Sequence, residues 1–150
     1  MKRISKYILF SFGLVFLGIQ LIPVERDNPP VVSEVNAPIE VKAILKRSCY
    51  DCHSNEVNWP WYSHVAPVSW LVAHDVKEGR KELNFSEWSR HSGDADMKEE
   101  IIEEIAEGEM PLPIYLITHP GASVSEQELT MLKKWAGHSV GVNYEYHGDD

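Results

Sequence analysis

Cys49-Tyr50-Asp51-Cys52-His53 is the stretch that decides how this chain is read. Its pattern, C-x-x-C-H, is the attachment signature for c-type haem. Two thiols three positions apart lie about one helical turn from each other, so both can reach the two vinyl groups of a single porphyrin. The histidine that follows then sits beneath the ring, where its imidazole binds iron as the proximal ligand. From average residue usage the three would meet at these offsets in roughly one chain per thousand of this length, so the pattern carries weight. Other uses of a C-x-x-C pair fit less well. A structural zinc site wants two close ligand pairs; six further histidines are present, but there is no second cysteine pair and no short-spaced histidine pair. A thioredoxin-like redox pair wants a βαβ setting, which the flanking pattern lacks. A plain structural disulfide needs no histidine beside it.

Outward from the motif, the chain has 150 residues and is 43% hydrophobic, enough for one modest globular domain and an appendage. The appendage is N-terminal. Lys2, Arg3 and Lys6 precede a mostly apolar run over residues 7–24, in which Gln20 is the strongly polar member. The run is just long enough to span a bilayer, and its end, Gln20-Leu21-Ile22-Pro23-Val24-Glu25, lacks an A-x-A-like cleavage site. No cysteine lies near it to be lipid-modified. Residues 1–24 therefore read as an uncleaved membrane anchor rather than a signal segment, and cleavage would leave a soluble exported protein. Positive-inside logic places the basic end in the cytoplasm and the remainder across the membrane. That is the periplasmic side of a bacterial inner membrane, where covalent haem is received.

Residues 25–38 contain Pro29, Pro30 and Pro38 and read as an extended linker that holds the domain off the bilayer. All 23 acidic residues follow residue 24, against 11 of the 14 basic ones, a formal charge of −12 on the exported part. Nucleic acid and anionic headgroups are poor partners for such a surface. The domain itself is expected over residues 39–137, with residues 138–150 as a polar tail.

Within the domain, residues 39–47 predict a helix with Val41, Ile44 and Leu45 on its apolar side, running directly into the motif. Pro67 opens a second helix over residues 68–83 with Leu71, Val72 and Val76 inward, Trp70 at the margin and His74 towards solvent. Phe85 to Trp88 reads as a turn or short helix and Ser92-Gly93-Asp94 as a loop. A third helix, from residue 94 or 95 to 107, sets Met97, Ile101 and Ile105 four apart, with Ile102 and Ala106 alongside. Its other face is acidic, with eight carboxylates among residues 94–109 against Lys98. The usual meaning is a solvated face; the sharper one is a docking surface for a basic redox partner. The last helix starts at the capping-box pair Ser125 and Glu128, turns Leu129, Leu132 and Trp135 or Ala136 inward, and stops at Gly137.

Two further segments bear on chemistry. Trp59, Trp61 and Tyr62, around Pro60, put three large aromatics in a loop; they suit one face or edge of a porphyrin and equally an ordinary core. Met110, followed by Pro111 and lying 57 residues beyond His53, suits a thioether that binds iron from the far side; a core methionine is the plain alternative. Residues 115–122 read as a loop that leads to the last helix; His64, His74, His91 and His119 are the alternative far-side ligands, with His119 in the loop region of Met110.

Over residues 35–137 the arrangement resembles the bacterial membrane-anchored haem-binding domain family related to cytochrome c. The resemblance rests on Cys49 to Asn55, Trp59-Pro60-Trp61-Tyr62 with Pro67, Phe85 to Trp88, Met110 to Tyr115 with His119-Pro120, and Leu132 to Trp135. It implies thioethers at Cys49 and Cys52, proximal ligation by His53 and distal ligation by Met110. The expected fold is all-α, a small class I cytochrome c-like bundle around one covalent haem c. The expected function is a monohaem electron carrier, not an enzyme, although weak peroxidase-like activity stays open. The competing reading is a haem-based sensor or small-ligand-binding module with an open or displaceable sixth iron position.

Overall fold

The computed structural model describes residues 2–91 and 95–138. The expected loop Ser92-Gly93-Asp94 and the tail beyond His138 lie outside the described residues. Among those described there are seven α-helices and no strand, only an isolated bridge between Ser33 and Glu87. The helices are α1 (Lys2–Ile19), α2 (Ile39–Ser48), α3 (Tyr50–His53), α4 (Val68–Glu82), α5 (Ala95–Glu107), α6 (Pro113–Thr118) and α7 (Glu126–Ala136). The all-α expectation holds. The helices divide between two compact units, one formed by residues up to Glu34 with Tyr50–Glu87, the other by Val35–Cys49 with residues from Trp88 onward.

In the first unit, α1 is exposed on every side over residues 4–18, with Leu9, Phe10, Phe12 and Leu17 each at least 64% open to solvent. The apolar run was expected to continue as one span to residue 24, but the helix ends at Ile19 and tightens into i→i+3 bonds from Gln20, Leu21 and Ile22. Among the described residues no helix is long and apolar enough to cross a membrane. The physical reason is composition: the 18 residues of α1 include Lys2, Arg3 and Lys6, while Leu21, Ile22 and Val24 fall beyond its end.

Residues 26–33 run extended, as their prolines require, but they are tied down along their length. Arg26 donates to the Ser63 carbonyl at 3.1 Å and Asn28 to that of Val57 at 2.9 Å. The Pro30 carbonyl accepts from Asn55 at 3.1 Å, and the amides of Val32 and Ser33 both donate to Ser86. Arg80 of α4 completes the strap. Its guanidinium donates to the carbonyls of Ser54 and Asp27, each at 2.8 Å, and to the side chains of Asp27 and Asn28.

The face that α4 buries is not quite the one periodicity predicts. Ser69 and Val76 are buried and Val72 is half-buried, whereas Leu71 is 45% exposed. The rotation follows from Gly79: a β-carbon there would stand 2.8 Å from the Cys52 carbonyl oxygen, so α4 meets α3 through its glycine and that contact sets the inward direction.

In the second unit α7 packs on both α2 and α5. Val41, Ile44 and Leu45 of α2 are all buried as expected, each burial contributing about 1.5–3 kcal/mol. They share a core with Val35, Trp88, Ile101, Ile102, Ala122 and Leu132. Trp135 lies 5.8 Å from Trp88, donates its indole N–H to the Asn36 carbonyl at 3.3 Å, and carries the Lys98 ammonium 4.6 Å above its ring. The Ser125/Glu128 capping box is formed in both directions, and Gly137 closes α7 with φ 100°, a left-handed conformation that glycine adopts without steric cost. Arg47 reaches Glu128 at 2.7 Å and the Ser123 carbonyl at 3.1 Å. One segment departs from expectation. Residues 115–118, read as loop, belong to α6, because Pro113 at the first helical position is preorganised for a helix start.

Candidate functional site

Cys49 ends α2, in the second unit, and Cys52 and His53 lie on α3, in the first. Cys49 is the C-cap of α2; its amide still donates to the Leu45 carbonyl at 2.8 Å, but its φ of −125° leaves the helical region. Tyr50 then starts α3, a single helical turn. So short a helix holds only if its surroundings hold it. Tyr50 stacks on buried Phe85, with centroids 5.2 Å apart and planes 13° from parallel. Asp51 accepts from the Asn58 amide at 3.0 Å, and the Tyr50 carbonyl accepts the Ser54 hydroxyl at 2.8 Å. The His53 carbonyl accepts the Phe85 amide at 2.8 Å. Beneath these, Asn84 donates to Asn55 at 2.9 Å while Ser86 donates its amide to Asn84 and accepts from the Asn55 amide, a buried polar network with every partner in place.

The imidazole of His53 is oriented by α4. Its Nδ1 lies 2.9 Å from the Gly79 carbonyl and 3.2 Å from that of Leu83. Carbonyl oxygens only accept, so Nδ1 carries the proton and Nε2 keeps its lone pair. Burial pushes the pKa of His53 down, with the two carbonyls working the other way, so the ring is held neutral. A neutral imidazole with one nitrogen fixed by backbone and the other available is the form that ligates a metal. The adjacent Cys52 thiol is pushed up to about 11, by burial first and then by the carboxylates of Asp75 and Asp51. Cys49 and Cys52 are not joined as a disulfide.

Met110 belongs to the second unit, in the turn between α5 and α6. Gly108 ends α5 with φ 79°, and the amides of Glu109 and Met110 both fold back to the Glu104 carbonyl at 3.0 Å. The Met110 side chain is half-buried. Of the loop aromatics, Trp59 and Tyr62 are half-buried and Trp61 is 78% exposed, set edge-on to Tyr62 at 5.8 Å. The indole nitrogen of Trp59 is buried without an acceptor among the described residues. His64 and His74 are exposed. His91 lies against Trp88 at 6.1 Å, and His119 stacks on Tyr115 at 4.2 Å with its Nδ1 3.0 Å from the Thr118 hydroxyl. Among the described residues no group of three or more His, Cys, Asp or Glu side chains converges as a metal site.

Sequence reasoning passed over Gly79, Arg80 and Asn84 and gave Asn55 no role beyond the resemblance, although all four position the motif. One signal was available: an isolated glycine inside a helical pattern marks a close approach. The asparagines and the arginine carry no comparable mark.

The donor set fits haem of the covalent type: two thiols at the required spacing and an imidazole with its free nitrogen defined. In comparisons with known proteins, the haem-binding domain family matches residues 14–138 of the chain. Searches of curated proteins and of solved structures gave no match.

Proposed function

That the chain belongs to the haem-binding domain family is the premise from which we infer its function: a monohaem c-type cytochrome that carries single electrons. Haem, when bound, supplies an iron that stores one electron as Fe(II) and a porphyrin whose vinyl groups add two thiols. Cys49 and Cys52 are the residues for those thioethers, and His53 Nε2 is the proximal ligand. Met110 is proposed as the ligand of the far side, with Trp59 and Tyr62 as apolar contacts, in a class I cytochrome c-like domain. The observation that carries this reading is the fixed tautomer of His53, whose Nδ1–H is committed to the carbonyls of Gly79 and Leu83.

Electron carriage is supported by charge as well. Asp96, Glu100, Glu103, Glu107 and Glu109 are exposed on and just after α5, a surface suited to a basic redox partner met in brief encounters. The chain is proposed to be held at the outer face of the bacterial inner membrane by the apolar run of residues 7–24.

The test is spectroscopic. The full chain, produced with covalent haem and purified, is compared by optical absorption and EPR with Met110→Ala, and by haem staining after denaturing electrophoresis with the double variant Cys49→Ala/Cys52→Ala. Covalent haem lost in the double variant and a low-spin signal lost in Met110→Ala are the expected results. A high-spin native spectrum that binds CO readily would replace electron carriage by ligand binding at an open sixth position.

A further inference from the structure

We propose that the end of the first unit formed by residues 61–67 lies in the lipid headgroup region, so that Trp61 is an interfacial side chain and the domain rests on the bilayer. This extends the membrane attachment proposed above and rests on it. The occupant is a bilayer surface, and four observations point to it.

First, the chain that leaves α1 is hydrogen-bonded to residues 63–66. The Gln20 amide pairs with both backbone groups of Ala66, donating Nε2–H to the Ala66 carbonyl at 3.1 Å and accepting the Ala66 amide at 2.9 Å, while its Nε2 also reaches the Phe16 carbonyl at 2.9 Å. Six residues on, Arg26 holds the Ser63 carbonyl at 3.1 Å. Ser63, in the 3₁₀ turn Trp61–His64, and Ala66, two residues beyond the turn, are thereby each tied to the chain that leaves the apolar helix.

Second, apolar surface continues past that fastening. Leu21 is 84% exposed and Ile22 52% exposed, and both follow Gln20. A bilayer that covers them must reach the level of Ala66.

Third, α1 is short for its task. The helix over residues 7–19, at about 1.5 Å per residue, and the tight turn to Ile22, at about 2 Å per residue, give roughly 25 Å. The hydrocarbon core is about 30 Å thick, and a short span draws its flanks inward. Lys6 on one side can extend its ammonium outward; on the other side the flank is residues 61–67.

Fourth, the flank is built for that place. Trp61 is 78% exposed, next to half-buried Tyr62, with Pro67 and Val68 also exposed. An isolated surface tryptophan is poorly placed in water, whereas aromatic rings with one polar edge are enriched where headgroups meet acyl chains.

The full-length holoprotein, reconstituted in vesicles of phosphatidylethanolamine with a minor share of phosphatidylglycerol, provides the test. Flotation of the vesicles after an alkaline wash reads attachment. Hydroxyl-radical labelling with mass spectrometry reads the exposure of Trp61 against a free tryptophan reference. In the wild type the chain floats and Trp61 is labelled severalfold more slowly than an exposed indole, independently of the protein-to-lipid ratio. In Gln20→Ala the chain still floats and Trp61 labelling rises severalfold. A floating wild-type chain whose Trp61 is labelled like an exposed indole overturns the proposal and leaves the anchor standing. Protection that vanishes on dilution in lipid also overturns it, assigning the face to a second copy. A chain that does not float overturns the anchor, and the proposal with it.

Discussion

Gly79→Ala is the perturbation that most directly tests how the motif is held. In an exposed helix this change stabilises by about 1 kcal/mol, since alanine is the better helix former. At position 79 the sign reverses. The new β-carbon would stand 2.8 Å from the Cys52 carbonyl oxygen, 3.2 Å from its carbonyl carbon and 3.3 Å from its β-carbon. The nearest of these is backbone, so no rotamer change relieves the contact, and α4 must shift away from α3. Overpacking of this kind costs about 1–3 kcal/mol. The shift also stretches the 2.9 Å hydrogen bond from His53 Nδ1 to the Gly79 carbonyl, worth about 1 kcal/mol. Set against the helix gain, the net expectation is a loss of about 2 kcal/mol.

Urea unfolding of the holoprotein, followed by circular dichroism, measures that loss as a lower midpoint with an unchanged slope. Gly121→Ala is the matched control, because nothing lies within 4 Å of its added β-carbon; its expected change is within about 0.5 kcal/mol. A second readout separates geometry from mere stability: if His53 holds the iron as proposed, the iron spectrum of Gly79→Ala under fully folded conditions should differ from wild type, since its Nδ1 is bonded to the carbonyl of residue 79. A Gly79→Ala protein more stable than wild type, with an unchanged spectrum, would refute the close approach.

Other expectations follow from neighbouring contacts. Asn84→Ala removes the donor to Asn55 and the acceptor for the Ser86 amide in a buried network, leaving both without partners, and should cost about 2–3 kcal/mol in the same unfolding assay. The carboxyl of Glu128 is held down to about 2 by Arg47 and by the Ser125 amide, against an ordinary value of 4.5. A depressed carboxylate stabilises above its unfolded pKa and loses that contribution as pH falls from about 4.5 through about 2. The Arg47 side chain is 41% exposed and the pair is screened by solvent, so Glu128→Gln should flatten acid unfolding in that window by only about 1 kcal/mol. Electron transfer with a basic redox partner should slow as ionic strength rises, and replacing Glu100, Glu103 and Glu107 with glutamine should remove most of that dependence, as read by stopped-flow kinetics.

What the sequence disclosed and what it withheld divide along physical lines. The motif, α2 with its three buried aliphatics, and α7 with its capping box and terminal glycine were legible because each is specified within a dozen residues. Leu71 was assigned inward from periodicity, yet the face of α4 was decided by a glycine meeting backbone from another helix, and hydrophobic spacing does not register such a contact. Residues 115–118 looked like loop because proline and glycine surround them, although a proline at a first helical position also starts helices. The partners of the strap over residues 26–33 were invisible for a stronger reason. Asn28 and Val57 are 29 positions apart, Asp27 and Arg80 are 53 apart, and most of the acceptors are backbone carbonyls that every residue type supplies alike.

That strap changes what the N-terminal region does. As a free linker, fourteen residues would wander over roughly 20 Å and let the domain search for partners at a distance from the bilayer. Fastened to Val57, Asn55, Ser86 and Arg80, the same residues transmit the position of α1 to the turn that carries Cys52 and His53. Trypsin can distinguish the two pictures, since Arg26 is the only lysine or arginine between Lys6 and Lys42. A free linker is cut after Arg26 at once. In the strapped chain Arg26 is half-buried and bound to Ser63, so cleavage must wait for local opening. Arg80→Gln withdraws the charged donor that holds Asp27, Asn28 and Ser54, lowering the opening free energy by about 2 kcal/mol. When reclosing outpaces cleavage, that corresponds to a rate of cutting after Arg26 about thirtyfold faster. Equal rates in wild type and Arg80→Gln, measured by mass spectrometry of the digest, would mean that residues 26–33 are not held by α4 in solution, and the proposed path from α1 to His53 would fall with them.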